Sequence, residues 1–404
     1  MKINNIQDIK RPEGTVVFVT GVSGQDGSHM VDYLLSETSA SVIGGARRLS
    51  SENHVNINHL ENNPRFQLVN FDLTDSHSIY KIIEYAKPDY FINFAAQSFV
   101  ASSWDFARQT WECNSTAILD CLEAIKRLHP ICRFYNAGSS EEFGNVSYKP
   151  QDEKHPARPR SPYGASKVAA RQLIKVYRES YGLYAVQGWL FNHEGPRRGE
   201  EFVTRKITKG VARIFDAIVN DKPIVPIELG NINIERDWSD AEDLMDAVWR
   251  MLNQEVYGKG FFEPLNDIQT GKINNEEKYL ELLKNKIVPK INDYVVGSGE
   301  KHTIREFIDE AFGLVGIKGG WMDAGIDEYL WYSSGPKPLA SNECKLVTIN
   351  QKFYRPAEVE VLLADPSRIK NELGWQPKTD FNQLVEKMVK SDLTFYDKVV
   401  ESEL

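Results

Sequence analysis

The sequence has only four cysteines, Cys113, Cys121, Cys132 and Cys344, among 404 residues. None forms a CxxC pair, so dithiol redox chemistry and zinc ribbons have no starting point. Cys113 and Cys121 lie eight apart with Ala117 between them, on one face of a helix, and read as small core side chains. HExxH is absent. The stretch "HEGPR" at 193–197 carries Pro196 where a zinc-binding helix would have to continue, so no metal site is expected. No apolar run reaches the roughly 18 residues of a membrane span. The opening "MKINNIQDIKRPEG" has no hydrophobic signal core, and the expected setting is the cytoplasm, without a membrane partner. Basic excess is missing too. A net charge of -9 gives no reason to expect nucleic acid, while leaving room for a local basic pocket around an anionic ligand.

What is present fits a soluble globular chain, with 41% apolar and 26% charged residues, long enough for one large domain or two smaller ones. Apolar strands are expected at 15–20, 41–47, 66–73, 89–96, 132–138 and 184–191. Helical patterns are expected at 27–36, 78–86, 114–127 and 163–181. Strands alternating with helices predict an α/β, Rossmann-like parallel sheet with helices on both faces. The alternation stops near 193. We read 14–192 as the dinucleotide-binding domain. Residues 193–404 read as mainly a smaller substrate-binding domain, parts of which return to the first, with a probable insertion at 262–292. There is no internal repeat and no low-complexity linker.

"VVFVTGVSGQDGSHM" sets Gly21, Gly24 and Gly27 between a strand and a helix. Glycines let the backbone approach a pyrophosphate, and the helix N-terminus supplies free N–H groups and positive potential. The spacing is GxxGxxG rather than GxGxxG. An acid near the end of the second strand would favour NAD. Arg47 and Arg48 stand there instead and suit the extra 2′-phosphate of NADP, although two solvated arginines would read the same way. Asp72 and Leu73 close the third strand, near an adenine end. Ala95, Ala96 and Gln97 close the fourth, where small side chains admit a cofactor.

"SPYGASKVAA" places Tyr163 and Lys167 four apart on one helical face. A free phenol titrates near 10, too high for a base at neutral pH; a lysine and a positive nicotinamide beside it favour phenolate. The pair can then take a hydroxyl proton while hydride leaves carbon. Just upstream, "YNAGSSEEFG" (135–144) ends a strand. Ser139 can hydrogen-bond the reacting oxygen and Glu141 can act as base at a neighbouring carbon. Glu142 points the other way if the segment is extended, and is structural or solvated. Simple dehydrogenation leaves Glu141 idle; an oxidation that acidifies an adjacent C–H gives it a task.

Together these residues resemble the extended short-chain dehydrogenase/reductase family, most closely its GDP-mannose 4,6-dehydratase branch. The matches include "TGVSGQDGS" (20–28), "ARRLSS" (46–51), "FDLTDS" (71–76), "NFAAQSFVASSW" (93–104), "SSEEFG" and "RSPYGASK". They continue through "LFNHEGPRRGEEFVTRKI" (190–207), "LGNINIERDW" (229–238) and "YRPAEVEVLLADPSRIKNELGW" (354–375), nearly the whole chain. The glycine and YxxxK motifs specify only the broad family; the stretches at 192–206 and 354–359 are far more specific. The resemblance implies catalytic roles for Ser139, Glu141, Tyr163 and Lys167. It implies cofactor contacts from Gln25, Asp26 and His193 beside those already named. It implies nucleotide-sugar contacts from Ser98, Ser103, Asn192, Arg198, Val203, Lys206, Arg236, Arg355 and Glu358, with arginines gripping a diphosphate and Glu358 accepting from ribose hydroxyls. The activity implied is NADP-dependent 4,6-dehydration of GDP-mannose by a homodimer or homotetramer. Related dTDP-glucose dehydratases carry an Asp–Glu pair in this turn; Ser140 precedes Glu141 here, so Glu141 itself would deliver the proton to the departing water.

The sequence departs from the family's pattern at Phe99, where His is usual, at Gly138, usually Ser or Ala, and at Glu142, usually Leu or Met. The 262–292 stretch looks longer than the family's link. These departures bear on the sugar, so another GDP-linked hexose or a heptose stays open. An epimerase sharing Tyr163 and Lys167, and a non-catalytic NADP-binding sensor, are the alternatives. The epimerase would conserve substrate mass; the sensor would bind without turnover.

Overall fold

The computed structural model describes all residues except 2, 49–53, 255–289, 340–343, 355–358, 360 and 404, and leaves the side chains of 395–403 undescribed. Most of the expected 262–292 insertion therefore lies outside the described residues, as do Arg355 and Glu358. The chain divides into two compact units. Unit 1 comprises residues 1–191, 241–296 and 364–376, and unit 2 comprises 192–240, 297–363 and 377–404.

Unit 1 is built on strands β1 (Val16–Thr20), β2 (Ser41–Ala46), β3 (Phe66–Asn70), β4 (Tyr90–Asn93), β5 (Arg133–Ala137) and β6 (Ala185–Leu190). With the short strand Val295–Val296 they form a parallel seven-stranded sheet in the order Val295–Val296, β6, β5, β4, β1, β2, β3. Every residue of β1, β4 and β5 is buried, as a sheet covered on both faces requires. One apolar layer joins Val17, Val19, Ile92 and Tyr135 to Leu244, Val248 and Trp375. The other joins Phe18, Phe91 and Phe134 to Ile79, Ile83, Ile118, Leu122 and Ile174. The strand order reverses between β1 and β4, and the crevice beyond the carboxyl ends at such a reversal is where ligands of open α/β sheets bind.

The helices of unit 1 are α1 (Gln25–Glu37), α2 (Ser76–Ala86), α3 (Ala107–Trp111), α4 (Ala117–Leu128) and α5 (Pro162–Tyr181). Their starts follow local chemistry. Asp75 caps α2 by accepting from the N–H groups of His77 and Ser78. Ser161 caps α5, with Pro162 at its first position. The helix expected from 114 begins instead as a π turn, Glu112–Thr116, between α3 and α4. The strand expected over 66–73 pairs only to Asn70; Phe71 and Leu73 turn inward to the core while Asp72 caps the following turn through Thr74. Cys121 and Cys132 are buried in this core and Cys113 packs against it.

Unit 2 has its own core, in which Ile207, Val211 and Ile214 of helix α6 (Val203–Val219) meet Phe307, Leu330, Val347 and Met388. Its strands form a four-stranded, a three-stranded and a two-stranded sheet. The last of these pairs Asn192–Glu194 with Trp238–Asp240. Among the described residues no helix is long and apolar enough to cross a membrane, and no group of three His, Cys, Asp or Glu side chains could hold a metal ion.

Candidate active site

The turn after β1 fits a dinucleotide by its shape. Gly21 has φ +69°, and a Cβ there would stand 2.9 Å from the backbone nitrogen of Ala95. A Cβ on Gly27 would stand 2.3 Å from Gly21 O. Neither position has room for a side chain, so the first turn of α1 is drawn tight against the turn, and the helix N-terminus with its free N–H groups stands next to the end of β1. Gly24 caps α1. Gln25 is buried, and its Nε2 donates to Asp26 Oδ1 at 3.0 Å. Thr20 Oγ1 donates to Asn93 Oδ1 (2.6 Å) and accepts from the N–H groups of Phe94 and Ala95 (3.2 and 3.0 Å), which pins the chain at the end of β4.

Arg47 and Arg48 follow β2 and are exposed, with the Arg48 N–H held by Asn70 Oδ1 at 3.1 Å. Ala95, Ala96 and Gln97 are half-buried. Asn114, in the π turn, accepts from the Gln97 N–H and donates to the Gln97 carbonyl, both at 2.9 Å, and reaches Ser166 Oγ on α5 at 3.3 Å. A π turn inside a helix often marks a working site. Here it turns an asparagine onto the segment meant for the cofactor. Gln97 Oε1 is buried with no hydrogen-bond partner among the described residues. Ser98 is exposed. Ser103 is fully buried and its hydroxyl donates to Val100 O at 2.6 Å.

Tyr163 and Lys167 both lie on the buried face of α5. Lys167 Nζ stands 5.7 Å from the Tyr163 ring centroid and donates to Ala137 O, the last residue of β5, at 2.7 Å. Burial lowers the Lys167 ammonium to a pKa of about 8, against the opposing pull of Glu142. Ser139 and Glu141 are buried on the turn that follows. α5 backs directly onto it: a Cβ on Gly164 would meet Glu141 O at 2.6 Å. The four residues therefore come from the end of β5 and the first two turns of α5.

The segment after Ser139 is not extended. Ser140–Glu142 is a 3-10 turn with a capping box, in which Ser139 Oγ accepts from the Glu141 N–H (3.2 Å) and Glu142 Oε1 from the Ser139 N–H (3.0 Å). Glu142 is thus turned back inward and fully buried, with Arg171 as its counterion at 2.5 Å. The expected solvated alternative for Glu142 fails because alternation along a strand does not apply to a turn.

The remaining predicted ligands belong to unit 2. Asn192 and His193 are half-buried, and Asn192 Oδ1 is buried with no hydrogen-bond partner among the described residues. Arg198 pairs with buried Glu194 at 3.0 Å and lies over the Phe202 ring at 3.5 Å. Val203 opens α6. Lys206 Nζ stands 3.6 Å from the Phe353 ring centroid, and burial lowers its pKa. Arg236 is buried beside Asp237, and its guanidinium donates to Glu235 O at 2.9 Å. Sequence reasoning missed Asn114, Arg171 and Gln187; the only signal was polar residues at positions where apolar ones would pack.

Comparison with known proteins gives the family and the fold. The family model described as GDP-mannose 4,6 dehydratase covers residues 18–287 and 277–388. GDP-mannose 4,6 dehydratase of Drosophila melanogaster is 37% identical over 391 residues, 95% of this chain and 87% of its own. GDP-mannose 4,6-dehydratase of Vibrio cholerae serotype O1 is 38% identical over 388 residues, 94% of this chain and 93% of its own. A solved structure of dTDP-glucose 4,6-dehydratase from Bacillus anthracis in complex with NAD has the same fold, with a TM-score of 0.67 at 18% identity over 96% of this chain and 98% of that one. The glycine turn, the Tyr163–Lys167 helix and similarity along almost all of its length place the chain in the GDP-mannose 4,6-dehydratase family.

Proposed function

We propose that the protein converts GDP-mannose to GDP-4-keto-6-deoxymannose by removing water across C5 and C6. The observation that supports the reading is the junction of the Ser139–Glu142 turn with α5, where the Glu141 backbone packs against Gly164, the residue after Tyr163. A nicotinamide cofactor, when bound, supplies reversible hydride acceptance, so that C4 is oxidised and C6 reduced within one turnover. Gly21, Gly24, Gly27 and the start of α1 would hold its pyrophosphate, and Ala95–Gln97 would line its path. We take it to be NADP, because two arginines, rather than an acid, stand directly after β2.

The protein's own groups move the protons. Tyr163 takes the C4 hydroxyl proton, with Lys167 favouring its phenolate and Ser139 donating to the C4 oxygen. The C4 ketone then acidifies C5–H. Glu141 removes that proton and returns it to the C6 hydroxyl as water departs. After hydride reaches C6, C5 regains a proton from Glu141 once that carboxylate has been reprotonated from solvent, while Tyr163 releases the C4 hydroxyl proton to solvent, so the protons balance. On the sugar nucleotide, Arg198, Lys206, Arg236 and Arg355 supply positive charge for the diphosphate. Asn192, Glu358, Ser98 and Val203 contribute polar and packing contacts, while Ser103, with no exposed surface, holds the Val100 turn instead. We also propose a homodimer or homotetramer. Trp104, Phe106 and Trp111 support it, being 41%, 58% and 47% exposed within one short stretch of unit 1.

The test is incubation of GDP-mannose with the protein and a trace of NADP+. The expected product is lighter by one water, without net accumulation of NADPH. A product of unchanged mass would make the protein an epimerase; binding without conversion of any sugar nucleotide would leave it a sensor.

A further inference from the structure

Glu142 and the space that a Cβ on Gly138 would fill both meet one buried arginine, Arg171; we read both positions as departures from the resembled pattern. Glu142 has no exposed surface, and its carboxylate accepts four hydrogen bonds. Arg171 donates through Nε (2.5 Å) and Nη2 (3.1 Å), Gln187 through Nε2 (3.0 Å) and Ser139 through its backbone N–H (3.0 Å). Arg171 is almost as deeply buried. It also donates to Gln187 O (2.7 Å) and Gly188 O (3.3 Å), and its guanidinium covers the Trp189 ring at 3.4 Å. Asp293 lies 3.6 Å from Arg171 and is itself gripped by both terminal nitrogens of Arg178, so two carboxylates balance two guanidiniums. A Cβ on residue 138 would stand 2.8 Å from Arg171 Nη2 and 2.2 Å from Gly188 O. Position 138 therefore has no room for a side chain, first against the Gly188 carbonyl and then against Arg171.

We infer that Gly138, Glu142 and Arg171 form one positioning unit for catalysis, in which the Glu142 carboxylate holds the turn carrying Ser139 and Glu141. The inference rests on the roles given to those two residues above. A buried ion pair adds little stability over a well-packed apolar pair, so stability alone gives this one no reason to exist. What an apolar side chain at 142 could not do is accept the Ser139 N–H. That N–H would be orphaned in the core, and the turn would lose the contact that sets its first residue. The same network extends to the catalytic helix and the glycine turn. Gln187 Nε2 donates to Lys167 O (3.1 Å), Asn136 donates to Gln187 Oε1 (2.7 Å), and Asn93 joins Asn136 to Thr20 (2.8 and 2.6 Å). Glu142 touches no reacting atom; it acts through Ser139 and Glu141.

Removing one charge would strand the other, so the test removes both. Glu142→Leu/Arg171→Leu has no acceptor for the Ser139 N–H; Glu142→Gln/Arg171→Leu keeps one. Both are compared with the unaltered protein for kcat and KM on GDP-mannose, thermal melting, and hydrogen exchange of the peptide containing Ser139. The Leu/Leu variant should melt cooperatively, keep KM within about threefold and lose kcat about a hundredfold, with faster exchange at Ser139. The Gln/Leu variant should recover at least about tenfold of that kcat and the slow exchange. A Leu/Leu variant with more than half the original kcat, or a Gln/Leu variant no better than Leu/Leu, overturns the inference. If the unaltered protein does not convert GDP-mannose, the functional reading fails; equal exchange at Ser139 in all three proteins would then overturn the positioning claim separately.

Discussion

Lys167 stands one helical turn beyond Tyr163 with its Nζ 5.7 Å from the phenol ring, and its ammonium is tied to the last carbonyl of β5. The hydrogen bond to Ala137 O orients the lysine from the sheet, so the charge beside Tyr163 is set by the fold rather than by a flexible side chain. Tyr163→Phe removes the only atom of that residue able to take a proton. Turnover of GDP-mannose should fall by at least about a thousandfold, and no reduced nicotinamide should form in a single turnover. Stopped-flow absorbance reads this directly; a normal reduction burst in the variant would remove Tyr163 from the mechanism.

Lys167 also makes a prediction about stability. Its pKa falls from 10.5 to about 8 on burial, so the folded protein releases this proton before the unfolded chain does. Between those values the unfolded state binds more protons, and this group's contribution to stability rises with pH. Relative to Lys167→Met, the cofactor-free protein should gain stability from pH 8 to 10.5, by on the order of 3 kcal/mol at most. Denaturant melts of the two proteins across that range supply the difference. Parallel curves would mean that the lysine is not desolvated.

Glu141→Gln leaves the turn a side chain of the same shape without a base. Oxidation at C4 should continue while water loss falls by about a hundredfold or more. Rapid-quench mass analysis should then find a 4-keto sugar nucleotide that retains its C6 oxygen. Normal formation of the dehydrated product would assign the C5 proton to another group.

Gly27→Ala places a methyl group 2.3 Å from Gly21 O, a backbone atom that cannot move aside cheaply. The turn would have to open. NADP+ at about a hundred times its Kd should stabilise the unaltered protein by about 2.7 kcal/mol, and the variant by much less. Thermal shift with and without NADP+ checks this; equal shifts would take the glycine turn out of the binding site.

For cofactor choice, Arg47→Ala/Arg48→Ala should weaken NADP+ binding by about tenfold or more and change NAD+ binding little, since only NADP+ carries the 2′-phosphate. Calorimetric titration of both nucleotides separates the outcomes. Equal losses for both would mean that these exposed arginines do not read the phosphate.

The sheet and glycine turn were legible because their signals are local. β1 and β4 are short apolar runs, and three glycines between a strand and a helix have few other uses. Tyr163 and Lys167 were legible because a spacing of four is one helical face. Three features were not. The π turn at 112–116 rotates Asn114 toward Gln97, which a uniform helical period cannot show. The inward turn of Glu142 depends on Arg171, 29 positions later, and a long-range ion pair leaves no periodicity. Which parts of the second half return to unit 1, 241–296 and 364–376, is written in tertiary packing, as Trp375 joins the layer beneath β1 and β4.

The central claim is that one sugar is both oxidised and reduced within a single site. GDP-mannose deuterated at C4 tests it most directly. Incubated with the protein and a trace of unlabelled NADP+, it should give a product lighter by one water that carries the deuterium in its C6 methyl group. Deuterium still at C4, or left in the nicotinamide pool, would contradict the account.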